Sequence, residues 1–506
     1  MKRGLIDAEV IRDRLQSAFD PSLVESTGAR LASLLARHLD RIQSEQVGVM
    51  RWQSPAEQVE RAAELLGEGG APDLDLTALV ERFETLVEKA LKQGNQLHHP
   101  GYIGHQVPPP IPMAAWFDAV GAMTNQVMAI YEMGPWAVAM EQAMVERLGR
   151  AIGWRSGAFS GLITHGGNLA NLTALLTARN VALPDSWAQG LTGQDESPAL
   201  LVQSDAHYGV TRAAGILGLG EAAVIPVPVD SRRRMDVSAL LERLGRCRRE
   251  GRPVIAVVAC ACATPVGAFD PLPAIAEACR AFDVWLHVDA AHGGSALLSR
   301  HHRHLVSGLE LADSIVWDAH KMLYVPGLCA FVFYRHAGHA KRTFDQEASY
   351  LFDPTAPELE DYNVGLRTIE CTKRAAAFGL WGVWSLFGEG LFADLVDLSF
   401  SMGMVFFERL ERADDFEPLH RPQCNIVVFR YRPRQLNGAS DQVLGEFQLR
   451  LRRRLVEQGE YYIVSTTLEG MGALRVTIIN PLTTDRHLDG LLEALRREGQ
   501  TMLSEG

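Results

Sequence analysis

From about Ser160 to Arg335, short apolar runs alternate with stretches of helical period. The runs Ala199 to Gln203, Ala222 to Pro226, Pro253 to Ala259, Val284 to Asp289, Ser314 to Trp317 and Cys329 to Tyr334 are rich in Val, Ile, Leu and Ala. They lack a polar alternate face, as strands covered on both sides do. Between them, Tyr208 to Leu217, Asp236 to Arg248 and Leu272 to Phe282 place apolar residues at helical spacing. Asp236 is a suitable N-cap, and prolines near the start of the last helix sacrifice no needed N–H. Strand, helix, strand in succession predicts an α/β fold around a mostly parallel central sheet.

Other patterns flank this core. Residues 1–97 read as mainly helical. Toward the C-terminus come a strand, Cys424 to Tyr431, a helix, Asp441 to Gln458, strands Tyr462 to Thr466 and Leu474 to Ile479, and a helix, Asp485 to Gly499. That is a small C-terminal α/β domain. A chain of 506 residues exceeds one hydrophobic core, and the expected division is 1–97, 98–385 and 386–506. Ala182 to Pro198 and Phe352 to Asn363 are expected to be mobile loops.

A net charge of −12 argues against a general nucleic-acid binder. The basic run Arg450 to Arg454 lies within a helix-period segment and reads as a solvated face. No uninterrupted apolar stretch looks long enough to span a bilayer, and Met1 to Asp20 lacks a signal-peptide core. The seven cysteines show no CxxC spacing, which fits reduced thiols in the cytoplasm. His301-His302-Arg303-His304 has no carboxylate or thiolate company, so no metal is expected.

The candidate chemistry lies at strand ends. Lys321, preceded by His320, follows the run that ends at Trp317 and Asp318; Asp289 ends another. An amine and a carboxylate so placed suit pyridoxal 5'-phosphate: the lysine links covalently to the aldehyde, and the carboxylate keeps a proton on the ring nitrogen. Gly166-Gly167-Asn168 opens a helix, where free N–H groups favour an anion. His207 follows a strand end and is placed to stack on a ring.

Taken in order, His99-Pro100-Gly101-Tyr102, Gly166-Gly167-Asn168, Ser204-Asp205-Ala206-His207, His287-Val288-Asp289-Ala290-Ala291, Asp318-Ala319-His320-Lys321 and Leu474-Arg475-Val476 resemble the group II pyridoxal-phosphate-dependent amino-acid decarboxylases. The resemblance runs from about His99 to the C-terminus. It implies the pyridoxal-phosphate-dependent transferase fold of type I (aspartate aminotransferase-like), with 98–385 as the cofactor-binding domain. It also implies a homodimer that exchanges the helical segment 1–97. Lys321 would hold the cofactor, Asp289 its ring nitrogen, His207 and Ala291 the two ring faces. Gly166, Gly167, Asn168, Asp318 and His320 would lie around the phosphate, and Thr264 would support the ring hydroxyl or substrate. Two departures stand out: Gly167-Asn168 replaces a usual hydroxyl residue, and Cys262-Ala263-Thr264 replaces Gly-Thr-Thr. Arg475 would take the substrate α-carboxylate, with Tyr102 and Gln106 bordering the side chain. Tyr362 is the candidate proton donor to Cα; a glutamate-decarboxylase-like spacing would place the donor at Glu358 instead.

The implied reaction is decarboxylation of an L-amino acid to the amine and CO2. The segment His98 to Trp136 contains no Lys or Arg, which tilts the expectation toward an aromatic or other uncharged substrate. The alternatives are an acidic amino acid, an aldehyde synthase of the same fold that deaminates oxidatively after decarboxylation, and a non-catalytic binding protein of this fold.

Overall fold

The apolar runs form a seven-stranded sheet. In a computed structural model that describes residues 12, 15–66, 75–191, 197–344 and 355–505, its strands lie in the order Ser160–Thr164, Ala330–Tyr334, Ser314–Asp318, Trp285–Asp289, Val254–Cys260, Ala199–Gln203 and Val224–Val227. All are parallel except Ala330–Tyr334, which runs against both neighbours. The missing polar alternation has a direct cause: both faces are covered. Val257, Leu286 and Ile315 point into a cluster with Leu240, Leu244 and Ile275 of the helices Val237–Arg249 and Leu272–Phe282. Ala256, Val258 and Val316 point the other way, onto Ala170, Ala174 and Ala178 of the helix Gly167–Ala182. Successive residues thus feed opposite cores, as the two-residue period of a strand requires.

The register brings the chemistry to one edge. Thr164 pairs with Ala330, Ala330 with Asp318, and Cys260 with Asp289. Thr164, Asp318, Cys260 and Asp289 stand at carboxyl ends of parallel strands, the side on which open α/β sheets bind ligands, and Ala330 begins the reversed strand between two of them. Ser160–Thr164 is an edge strand whose outward groups are covered by a buried ion pair. Ile163 N donates to Glu141 Oε1 at 3.1 Å. Lys373 Nζ donates to both Glu141 oxygens at 2.7 Å and to the Ile163 carbonyl. Both charged side chains are 1% exposed. The pair takes the place of a further strand and blunts the edge.

A second, antiparallel sheet has the order Phe416–Pro418, Ile426–Tyr431, Met471–Thr477, Val464–Leu468. By packing, the chain forms two units. One comprises 104–448 and 464–481, with both sheets; the other comprises 1–103, 449–463 and 482–506. The second contains the helices Pro21–Gln43, Pro55–Leu66 and Leu76–Gln93, in keeping with the helical reading of the N-terminal region.

The helix Phe378–Arg412 is, by length and composition, apolar enough to cross a membrane. Glycines and acidic residues interrupt its apolar run. Gly388, at φ 72° and ψ −177°, breaks the helix in two. Phe378, Leu380, Val383, Phe392, Val396 and Phe400 are buried in the same core as the central sheet. Core packing accounts for its apolarity.

Candidate active site

A cavity of about 290 Å3 opens at the carboxyl edge of the central sheet. Its lining includes Gly166, Gly167, Asn168, His207, Thr264, Asp289, Ala291, Asp318, His320 and Lys321. All ten cofactor-contact candidates therefore converge, although they come from five separate parts of the chain. His165, Asn171, Cys262, His292 and Leu328 complete the wall. A larger cavity of about 920 Å3, bordered by Glu45, His99 and Arg486, belongs to the other unit and contains none of this chemistry.

Each group has a local reason for its position. Gly166 adopts φ +108°, which an L side chain rarely tolerates. It turns the chain from the edge strand into the helix Gly167–Ala182. At Gly167 a Cβ would come within 2.8 Å of Asp318 Oδ2, so a side chain is excluded by the carboxylate. Lys321 Nζ lies 3.2 Å from that same oxygen, and His320 Nε2 lies 3.6 Å away. Asp318 is buried, and its Oδ1 has no partner among the described residues. It holds the lysine amine at the turn that follows its strand.

His207 is half-buried, and burial lowers its pKa, opposed by Asp289. Its Nδ1 accepts from Gly209 N at 3.1 Å, so the neutral ring carries its proton on Nε2. Asp289 Oδ1 accepts from Ala291 N at 3.1 Å, and Oδ2 accepts from Asn171 Nδ2 at 3.1 Å. His292 is fully enclosed against Asn425 at 2.9 Å, and burial lowers its pKa to about 3. Cys262 and Cys424 bring their sulfurs within 4.0 Å beside the cavity; burial pushes the Cys262 thiol up.

Arg475 stands behind Thr264, donating from Nη2 to the Thr264 carbonyl at 2.8 Å. It is 6% exposed, and its Nε has no partner. Burial lowers its pKa to about 10. No carboxylate pairs with it among the described residues. Three other candidates do not line the cavity. Tyr362 is 45% exposed and makes an edge contact with Tyr131 at 5.8 Å. Gln106 is half-buried with Nε2 unpartnered. Tyr102 belongs to the other unit, where its ring stacks on Tyr462 at 5.3 Å. Of the loop expected at Phe352 to Asn363, Phe352 to Pro354 lie outside the described residues, as do 192–196 of the Ala182 to Pro198 loop.

The donor set fits pyridoxal phosphate. An amine is available for the aldehyde, a buried carboxylate for the ring nitrogen, an imidazole for a ring face, and a glycine cradle at a helix N-terminus for the phosphate. A model of the "Pyridoxal-dependent decarboxylase conserved domain" matches residues 78–432. The chain belongs to the pyridoxal-dependent decarboxylases. This decarboxylase is 31% identical over 436 residues to cysteine sulfinic acid decarboxylase of Rattus norvegicus, covering 84% of this chain and 86% of that protein. It is 31% identical over 388 residues to acidic amino acid decarboxylase GADL1 of Bos taurus, covering 75% and 73%. The crystal structure of mouse CSAD superposes with TM-score 0.85 at 28% identity, over 95% of this chain and 99% of that one. A structure of Oryza sativa TDC with PLP and tryptamine also gives TM-score 0.85, at 21% identity and 96% and 99% coverage; it supports the fold alone. The decarboxylase is thus a pyridoxal-phosphate-dependent carboxy-lyase acting on an amino acid.

Asn171 and His292 were not foreseen. Asn171 sits one helical turn beyond Gly167, a spacing that puts it on the same face as the glycine cradle. His292 directly follows the motif His287 to Ala291, three residues after Asp289.

Proposed function

We propose that the substrate is a short L-amino acid with an acidic side chain, whose α-carboxylate is received by Arg475. The observation that carries the carboxylate assignment is Arg475 itself: a buried guanidinium without an anionic partner among the described residues. A buried cation of this kind is costly until a carboxylate arrives. Two things support the short acidic side chain. The matched relatives are named for cysteine sulfinic acid and acidic amino acids. The cavity, at about 290 Å3, is at the lower bound of ligand pockets and must hold the cofactor as well.

Bound pyridoxal phosphate supplies the electron sink for the bond broken at Cα. Lys321 provides the amine that holds it, and Asp289 keeps the ring-nitrogen proton in place. Arg475 orients the α-carboxylate in a low-dielectric site, where the attraction is stronger than in water. The proton returned to Cα comes from His207 Nε2 or from the Tyr362 hydroxyl. His207 is at the cavity wall; Tyr362 ends the turn Pro357–Tyr362, outside the cavity lining.

An uncharged side chain is the second reading. It is favoured by the cavity lining, which brings no cation other than Lys321 among the described residues. Turnover of cysteine sulfinate, aspartate and glutamate against tyrosine, tryptophan and leucine separates the two, with CO2, amine and peroxide all measured. Preference for the aromatic or aliphatic set overturns the acidic assignment, and peroxide matching CO2 marks the aldehyde-synthase alternative.

We also propose a cytoplasmic homodimer built through the N-terminal helices. Phe19, Val24, Val59 and Leu66 expose apolar side chains there, Phe19 to 82%, and the helix Pro55–Leu66 buries none of its residues. All seven cysteines are free thiols, which supports a reducing compartment. A fully active monomer in sedimentation contradicts the dimer.

A further inference from the structure

Asp289 is the last member of a continuous hydrogen-bonded row. Trp285 Nε1 donates to Ser314 Oγ at 2.8 Å. Ser314 Oγ is 2.8 Å from His287 Nδ1, and His287 Nε2 is 2.7 Å from Asn171 Oδ1. Asn171 Nδ2 donates to Asp289 Oδ2 at 3.1 Å and to the Gly167 carbonyl at 3.0 Å. Ser314 and His287 are 0% exposed and Asn171 is 2% exposed, so water does not compete for these groups.

The direction of every proton follows from the two ends. An indole N–H only donates, and an ionised carboxylate only accepts. Both hydrogens of the Asn171 amide are used, one on Asp289 and one on Gly167. Turning the amide over would set its oxygen against two acceptors. Its Oδ1 therefore faces His287, and His287 Nε2 carries the hydrogen. His287 is buried enough to remain neutral, its pKa lowered to about 4 by desolvation. Nδ1 is then bare and accepts from the Ser314 hydroxyl, whose oxygen accepts from Trp285.

We infer that Trp285, Ser314, His287 and Asn171 form a one-way donor chain that keeps Asp289 ionised and aimed into the cavity, with Asn171 and His287 as positioning residues for the partner of the cofactor nitrogen. Of these groups Asn171 alone donates to the carboxylate, and a hydrogen bond given to the charged form favours it over the protonated one. Asn171 also couples this carboxylate to the glycine turn, because the same amide nitrogen binds Gly167. A loss at His287 therefore reaches the carboxylate through Asn171.

The inference rests on the cofactor and not on the choice of substrate. The test uses holoenzyme carrying pyridoxal phosphate labelled with 15N at the ring, and reads the nitrogen resonance together with kcat and KM. His287→Leu removes the donor to Asn171; His287→Gln retains an N–H that can serve it. His287→Leu is expected to move the resonance toward the unprotonated position and to lower kcat about ten- to a hundredfold, the usual range for an outer-shell partner, with KM little changed. His287→Gln is expected to recover most of both. Equal behaviour of the two variants, or a resonance unmoved in His287→Leu, overturns the inference. Should His287→Leu not fold, Ser314→Ala decides: a smaller displacement in the same direction upholds the chain, and an unmoved resonance refutes it.

Discussion

Replacing Lys373 with methionine tests how the glycine turn is anchored. The lysine ammonium makes two 2.7 Å bonds to Glu141 and one to the Ile163 carbonyl, with both charges almost wholly buried. Methionine keeps the volume and removes the charge. Glu141 is then left with one hydrogen bond, from Ile163 N, and no ion pair among the described residues, the Arg367 guanidinium acting on it only at longer range. An uncompensated buried charge of this kind costs about 3–5 kcal/mol. Adding Glu141→Gln removes the stranded charge yet keeps an acceptor for Ile163 N. The double variant should therefore regain most of the loss and retain a deficit of about 1 kcal/mol for the bond no longer made to the Ile163 carbonyl. Urea unfolding followed by tryptophan fluorescence, at fixed protein and cofactor concentration, reads the order of midpoints. A Lys373→Met midpoint within about 1 kcal/mol of wild type, or a double variant no better than the single, refutes the claim that the charge pair rather than packing caps this strand.

Other outcomes can be checked independently. Lys321→Ala should leave the chain folded but without covalent cofactor; after borohydride reduction and digestion, a pyridoxyl group on another lysine would disprove the assignment. Tyr362→Phe should slow protonation at Cα about a hundredfold, the worth of a positioned general acid, and raise aldehyde relative to amine; an unchanged rate and ratio would pass the role to His207. Acid should destabilise the fold through His287 and His292, whose pKa values are lowered to about 4 and about 3. Below pH 6.5 the unfolded imidazoles take protons that the folded ones refuse, so stability falls, by about 2 kcal/mol per histidine at pH 5. Comparing unfolding at pH 7 and pH 5, His292→Gln should lessen the difference; an identical pH dependence would contradict this.

Much of the sheet was legible because burial on both faces leaves a plain apolar run. Ala199–Gln203 and the helices Leu272–Phe282 and Asp441–Gln458 occur with the expected bounds. The reversed direction of Ala330–Tyr334 was not legible, since an apolar run carries no sign of its direction. Residues tied to one motif, such as Lys321 and Asp289, were found because strand ends are visible in sequence. Asn171 was missed because its meaning depends on His287, 116 positions away. Tyr362 and Gln106 illustrate the converse: chemistry-bearing side chains whose resting positions depend on turns and loops that carry no period.

The reversed strand also has a bearing on when the site can come into being. The lysine turn joins Ser314–Asp318 to Ala330–Tyr334, so these two strands close as near neighbours in the chain. The glycine turn is joined to them in part by pairing of Thr164 with Ala330, groups 166 positions apart. Closing so long a loop is paid for before any contact rewards it, which makes it a slow event in folding. During synthesis the phosphate cradle must therefore wait for the emergence of a strand beyond the lysine. A nascent chain stopped before Ala330 has every motif from Gly166 to Lys321 and still lacks the strand that joins Thr164 to Asp318.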